Sequence, residues 1–179
     1  TGDGLNIVSG GAVSSAHRVT LSASGNLVAD GAVLANELQV STFGNSSAAF
    51  TSSANTVTTL AAGINGNFNF LNAGALTIGS VGSANGVASG SGAINIATLT
   101  GDLTLAKLVT VQSTIGESNL LVVLNAGKNV AAGTAVGGNI LVTDDGGIST
   151  PTGLVTLYSG SVSGSTGLTN LIGSASGKF

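Results

Sequence analysis

The sequence predicts an all-β fold of the β-solenoid kind, in which successive coils of about 19 residues stack on one another. Three observations carry that expectation. Apolar residues alternate at a period of two, the starts of the alternating runs recur about every 19 residues, and turn-forming residues separate the runs.

In chain order the clearest alternating pairs are Leu5/Ile7, Val19/Leu21, Leu38/Val40, Phe68/Phe70, Leu76/Ile78, Ile94/Ile96, Leu103/Leu105, Val122/Leu124, Ile140/Val142 and Val155/Leu157. Residues two apart share one face of a strand, so each pair marks a face turned to a core. Between the pairs stand Ser24-Gly25-Asn26, Asn65-Gly66-Asn67, Asn72-Ala73-Gly74, Asn85-Gly86 and Asp145-Gly146-Gly147, all turn formers. No stretch carries a helical period, and glycine recurs too often for a long helix.

Spacing extends the reading from strands to coils. Leu38, Val57, Leu76 and Ile94 follow at intervals of 19, 19 and 18 along the chain, and Leu103, Val122 and Ile140 at 19 and 18. One turn of a solenoid has that length. An up-and-down sandwich is the competing architecture, because its strands recur every ~8–12 residues, as half a coil does. Asn26, Asn45, Asn65 and Asn85 follow at intervals of 19, 20 and 20, and Asn36 and Asn55 at 19. Asparagine tolerates the left-handed backbone of sharp corners, and stacked amides bond to one another, so these asparagines are read as a structural corner ladder. A longer repeat is also present: residues 19–38 align without gaps on residues 122–141, with nine identities in twenty positions. These are Val19/Val122, Leu21/Leu124, Ala23/Ala126, Asn26/Asn129, Ala29/Ala132, Ala32/Ala135, Val33/Val136, Asn36/Asn139 and Leu38/Leu141.

Composition bounds the alternatives. The 179 residues fit one domain spanning 1–179, long enough to bury a core. Charged residues make up 6% of the chain, against roughly 25% in ordinary soluble domains. There are 29 glycines, no cysteine, methionine or tryptophan, one proline and one tyrosine. Disorder is argued against by a hydrophobic share of 42% and a net charge of only −3. The absence of an initiator methionine and the start Thr1-Gly2-Asp3-Gly4 suggest a processed chain or an excised segment. The densest apolar run, Leu120-Leu121-Val122-Val123-Leu124, falls far short of the ~20 residues that cross a bilayer as a helix. The four cations are dispersed, which argues against nucleic acid.

Several phrases resemble the repeats of large secreted exoproteins of the filamentous haemagglutinin type, the adhesins of two-partner secretion. They are residues 19–27 (Val-Thr-Leu-Ser-Ala-Ser-Gly-Asn-Leu), Glu37-Leu38-Gln39-Val40-Ser41-Thr42, Asn55-Thr56-Val57-Thr58-Thr59-Leu60-Ala61 and Ala75-Leu76-Thr77-Ile78-Gly79. The likeness covers most of residues 17–145 and is one of pattern and composition. It implies a single-stranded right-handed parallel β-helix, secretion to the exterior or outer surface of a bacterium, and a rod that carries a tip away from the cell. The chain departs from those exoproteins in being much shorter.

The ionisable groups offer little chemistry. They are Asp3, Asp30, Asp102, Asp144, Asp145, Glu37, Glu117, Arg18, Lys107, Lys128, Lys178 and His17. Polysaccharide cleavage on a β-helix needs several such groups on one face, yet only Asp144 and Asp145 adjoin, and beside Gly146-Gly147 they read as turn formers. His17 has no cysteine or second histidine to share a metal with and reads as a solvated turn residue. Thr1-Gly2-Asp3-Gly4-Leu5 resembles one calcium-binding nonapeptide without its tandem partners. No serine sits in a Gly-x-Ser-x-Gly elbow, and there is no phosphate loop. No catalytic, cofactor or metal residue is therefore expected, and the chain is not expected to be an enzyme. Thr56/Thr58 and Thr98/Thr100 suggest ice binding as an alternative, which would require such a pair on every coil.

The expected role is structural or adhesive, as a stalk or a self-assembling fibre subunit of a bacterial surface. The expected partners are other copies of the chain or flanking coils of a longer one, with a host or neighbouring-cell surface as a further candidate.

Overall fold

The computed structural model describes residues 3–112, 121–131, 133–134, 137–150, 153–169 and 171. Its strands are, in order, β1 (Leu5–Ile7), β2 (Ala12–Ala23), β3 (Leu27–Ala29), β4 (Ala32–Thr42), β5 (Ala48–Phe50), β6 (Thr56–Ile64), β7 (Phe68–Asn72), β8 (Leu76–Ile78) and β9 (Ser80–Val81). They continue with β10 (Ala84–Asn85), β11 (Val87–Ser89), β12 (Ile94–Thr98), β13 (Leu103–Leu105), β14 (Leu108–Val111), β15 (Leu121–Asn125), β16 (Ile140–Val142), β17 (Gly147–Ser149) and β18 (Leu154–Tyr158). All ten alternating pairs read from the sequence lie within these strands.

The chain alternates between two parallel sheets. The first runs β1-β3-β5-β7-β12-β15-β18, and the second runs β16-β13-β8-β6-β11-β14-β17, with β4 beside β6 and β2 beside β4. Every pairing in both is parallel. Parallel neighbours need a long connection between them, and here that connection is the passage through the other sheet.

Pairing fixes which residues stack. In the first sheet Leu5, Leu27, Ala48, Phe68, Ile94, Val122 and Val155 follow one another, at sequence intervals of 22, 21, 20, 26, 28 and 33. In the second, Val19, Leu38, Leu60, Ile78, Leu105 and Val142 do so at 19, 22, 18, 27 and 37. The expected interval of 19 thus holds between β2 and β4 and is not general. Leu38 stacks on Leu60, Val57 on Ala35, Leu76 on Leu103, and Ile94 on Phe68 and Val122, so the equally spaced Leu38, Val57 and Leu76 share the second sheet out of register and Ile94 lies in the first. The physical reason is that strands of both sheets recur at about half a pass, while later connections grow. The long sequence repeat is similarly out of phase. Val19 is in the second sheet and Val122 in the first, whereas Leu38 and Leu141 both lie in the second. Its Ala132, Ala135 and Val136 lie outside the described residues.

The core fills the space between the sheets with one residue per pass in each column. Leu38, Leu60, Ile78, Leu105, Phe50, Phe70, Ile96 and Leu124 are all fully buried. Phe50, Phe68 and Phe70 form its only aromatic cluster among the described residues, with ring centroids 5.4 to 6.3 Å apart. Small neighbours make room for them: Ala29 pairs with Phe50 and Ala48 with Phe68. Large beside small is how facing columns keep native packing density.

One element lies outside this frame. β9 and β10 pair antiparallel through Gly82-Ser83, and Gly82 at φ +60° followed by a non-glycine at negative φ is the two-residue hairpin turn of type II′. The hairpin folds over the outer face of β6 and buries Val81 against it. Ala61, outward-facing between the inward Leu60 and Ala62, is buried as a result. Gly86 then returns the chain to the sheet at φ +75°, where a Cβ would strike the carbonyl oxygen of Leu108 on the next pass.

Gly86→Ala is expected to destabilise the fold by about 1–3 kcal/mol or more, from the left-handed backbone and the steric clash. Gly63, outward on β6 with open space around its Cα, is the contrast: Gly63→Ala should be neutral or stabilising by about 0.4–1 kcal/mol. Chemical denaturation of the two variants beside the parent chain compares them directly.

Candidate functional site

Three groups of polar residues stand out once the strands are placed: those at the corners, the few charged side chains, and those on the outer face of the first sheet.

At the corner entering the first sheet, side chains of one pass cap backbone amides of the next. Ser47 N–H donates to Asn26 Oδ1 at 2.9 Å, Asn67 N–H to Ser47 Oγ at 3.0 Å, and Ala93 N–H to Asn67 Oδ1 at 2.8 Å. At the corner leaving it, the polar side chains point inward. Asn55 is fully buried, accepts from Val33 N–H at 2.8 Å and donates to the Leu71 carbonyl at 3.0 Å. Buried Asn72 accepts from Val57 N–H at 2.9 Å and donates to the carbonyls of Val57, Gly74 and Ala75 at 3.0, 3.1 and 3.1 Å. Thr98, in register with Asn72, accepts from Gly127 N–H at 2.8 Å and donates to Gly101 O at 2.9 Å. Ser89, at the end of β11 and so at the corner entering the first sheet, is also buried and bridges Gly92 N–H and Gly66 O at 2.8 and 2.9 Å.

The six asparagines singled out by spacing therefore have separate fates. Asn26 and Asn55 are corner caps. Asn36 lies inside β4, where its Nδ2 donates to Ala16 O at 2.7 Å across a break in register between Ser15 and Arg18. Asn85 is the last residue of β10 and its Oδ1 accepts from Ser80 Oγ at 2.7 Å. Asn45 and Asn65 are exposed at turns, and the Asn65 carbonyl accepts from both Ser91 N–H and Ser91 Oγ. No non-glycine among the described residues has a positive φ, so the left-handed positions go to glycine instead, Gly44 before Asn45 and Gly86 after Asn85. The stacked set that exists, Asn26–Ser47–Asn67, includes two residues that equal spacing passes over.

The charged groups are dispersed. Arg18 bonds Glu37 at 2.8 Å, its ladder partner on β4, and Lys107 bonds Asp145 at 2.7 Å. Both pairs are open to solvent and stabilise little. Asp145 and Asp144 occupy a turn closed by Gly146 N–H to Thr143 O at 2.9 Å. The hydrogen bond and charge of Lys107 hold the Asp145 carboxyl below its ordinary range. Asp30 Oδ1 accepts from Thr51 Oγ1 at 2.8 Å, and Asp102 Oδ1 from Asn139 N–H at 2.8 Å. Asp3 is exposed, with its carbonyl bound to Gly25 N–H at 3.0 Å. His17 is exposed in β2 at the register break, in a strand rather than a turn. Glu117, Lys178, Leu120, Thr1 and Gly2 lie outside the described residues. Among the described residues no three His, Asp or Glu gather as metal ligands would. No helix among them is long and apolar enough to cross a membrane. Of the threonine pairs, Thr56 and Thr58 are exposed, but Thr98 is buried at its corner and does not present a surface pair with Thr100.

The outer face of the first sheet carries a shallow groove of about 310 Å³, along which Asn69, Asn95, Asn125 and Lys128 are ranged. Asn69 and Asn95 are register partners on β7 and β12, and Asn125 follows on β15. A second hollow of about 210 Å³ continues it past Asn125 and Lys128 to Tyr158. Nothing in the alternation points to this groove, since outward residues of a strand leave no pattern of their own. Comparison with family models, with curated proteins and with solved structures finds no match.

Two measurements probe the corners and the charge pair. Asn72→Ala should cost about 1–3 kcal/mol, because Val57 N–H is left buried without its acceptor, while Asn45→Ala should stay within about 0.5 kcal/mol; equal effects in thermal unfolding would refute the assignment. Because the Asp145 pKa is lowered in the folded state, its pairing contribution is present at neutral pH and lost as pH falls through that lowered value. Lys107→Gln should move the Asp145 titration back up toward the ordinary carboxylate range, followed by carboxyl-detected NMR.

Proposed function

We propose that the two parallel sheets are the walls of a single-stranded right-handed β-solenoid, and that the chain is a non-catalytic structural or adhesive rod of a bacterial surface. It serves there as a stalk or as a self-assembling fibre subunit. The handedness, secretion and surface location follow the resemblance to filamentous haemagglutinin-type repeats.

The observation that carries the reading is the open hydrogen-bonding edge of β1, β2, β17 and β18; β16, the other outer strand of the second sheet, is bridged by the Thr166 backbone. Among the described residues β1 pairs only with β3, β2 only with β4, β17 only with β14 and β18 only with β15. At the β2 end the core side chains are less covered: Val19 and Leu21 are 7% and 9% exposed, against 0% for Leu38 and Val40 on β4. An open parallel edge over a partly covered core accepts another strand, either a flanking coil or a second copy. The sparse, dispersed charges support a role without catalysis.

The edge can be blocked. Ala23 O accepts from Phe43 N–H, so the inward residues of β2 turn their backbone groups to β4, and alternation turns those of Thr20 and Ser22 outward to the open edge. Proline is tolerated on an edge strand but removes the donor. Electron microscopy and sedimentation should show rods that lengthen with concentration for the parent chain and stay short for Thr20→Pro. A monodisperse monomer at every concentration would sink the fibre-subunit role.

A further inference from the structure

We propose that the groove on the outer face of the first sheet binds an acidic saccharide chain, laid along the stack from Asn69 to Tyr158. The inference is independent of the structural role proposed above.

Its polar groups are unspent. The side chains of Asn69, Asn95 and Asn125 make no hydrogen bond to any described residue, whereas Asn26, Asn36, Asn55 and Asn72 are all engaged. A carboxamide both donates and accepts, which suits the mixed donor and acceptor hydroxyls of a sugar. Asn69 and Asn95 stand in register at the strand spacing of roughly 4.8 Å, and Asn125 and Tyr158 form a second registered pair two residues along the strands, so the groove offers polar contacts at more than one point. Tyr158, 53% exposed on β18, adds a flat ring with a polar tip beside the second hollow.

Charge selects among saccharides. Arg18 and Lys107 are committed to Glu37 and Asp145, but Lys128 is exposed at the groove with no carboxylate partner among the described residues. Its ammonium is placed to meet an acidic group of the ligand in a charge-assisted hydrogen bond. Asp30, bonded to Thr51, stands at the opposite end. A peptide strand is a poorer occupant, because the inner strands β7, β12 and β15 already have a partner on each side and offer no edge to augment. A nucleic acid strand would need many cations where the groove has one.

The test uses a hexamer of galacturonic acid and its methyl ester, the same chain without charge, titrated into the 179-residue protein and followed by NMR and calorimetry. The acid form is expected to bind about fivefold more tightly than the ester at low salt, the reach of one exposed ion pair. Lys128→Gln should bring the two to the same affinity, whereas Asn95→Ala should weaken both by about threefold to tenfold. Thr77→Ala, on the outer face of the other sheet, should change neither. Both substituted groove side chains point outward, and unchanged melting of each variant confirms that the fold is intact. Absence of binding by either hexamer, or an acid preference that survives in Lys128→Gln, overturns the proposal.

Discussion

A strand that pairs in parallel with the strand one pass earlier commits its whole side-chain pattern to that register. Each inward residue then rests on a counterpart from the preceding pass, and each outward residue on another. This explains why the core is assembled in columns, and why substitutions within a column are compensated by near neighbours. Ala29 under Phe50 and Ala48 under Phe68 keep the interior full where the aromatic cluster would otherwise be too large. It also explains the low charge content. A chain whose inward positions must be apolar on every pass has only outward positions and corners left for ionisable groups.

The corners meet a second demand of the same register. As the chain leaves a sheet its backbone loses the regular ladder, but its amides still need acceptors. Short polar side chains supply them across passes, outward at Asn26, Ser47 and Asn67 and inward at Asn55, Asn72 and Thr98. The inward set is costly to lose because those groups have no water to fall back on. Sharp reversals are handled separately by glycine, whose missing Cβ lets one pass approach the carbonyls of the next at Gly86.

That division of labour decides what was legible in the sequence. The strands with two large inward residues, such as Leu103/Leu105 and Ile94/Ile96, announce themselves by alternation. β5 does not, because one of its inward positions is Ala48, and β17 does not, because Gly147 precedes its single large apolar residue, Ile148. The spacing of asparagines mixed two roles that only register separates: Asn36 closes a break within β4, while Asn55 caps a corner from inside. Ser47 fills the place expected of an asparagine, and no count of asparagines could include it. The groove stayed hidden for a related reason, since Asn69, Asn95 and Asn125 come together only through pairing of β7, β12 and β15.

Growth of the connections shows where such a stack can vary. The pass from Val122 to Val155 is more than half as long again as the pass from Ala48 to Phe68, yet the columns continue through both. The added residues leave the columns intact. The β9–β10 hairpin enters within the second sheet, between β8 and β11, which pair with successive stretches of β6, and it spreads over the outer face there. The turn after β15 is another addition, and it brings Lys128 to the edge of the groove on the first sheet, next to Tyr158 from the following pass. Regular pairing supplies a rigid face with repeated contacts, and a corner supplies the one charge that breaks its uniformity. Recognition built this way needs no change to the core, so the same stack can carry different outward chemistry wherever a corner lengthens.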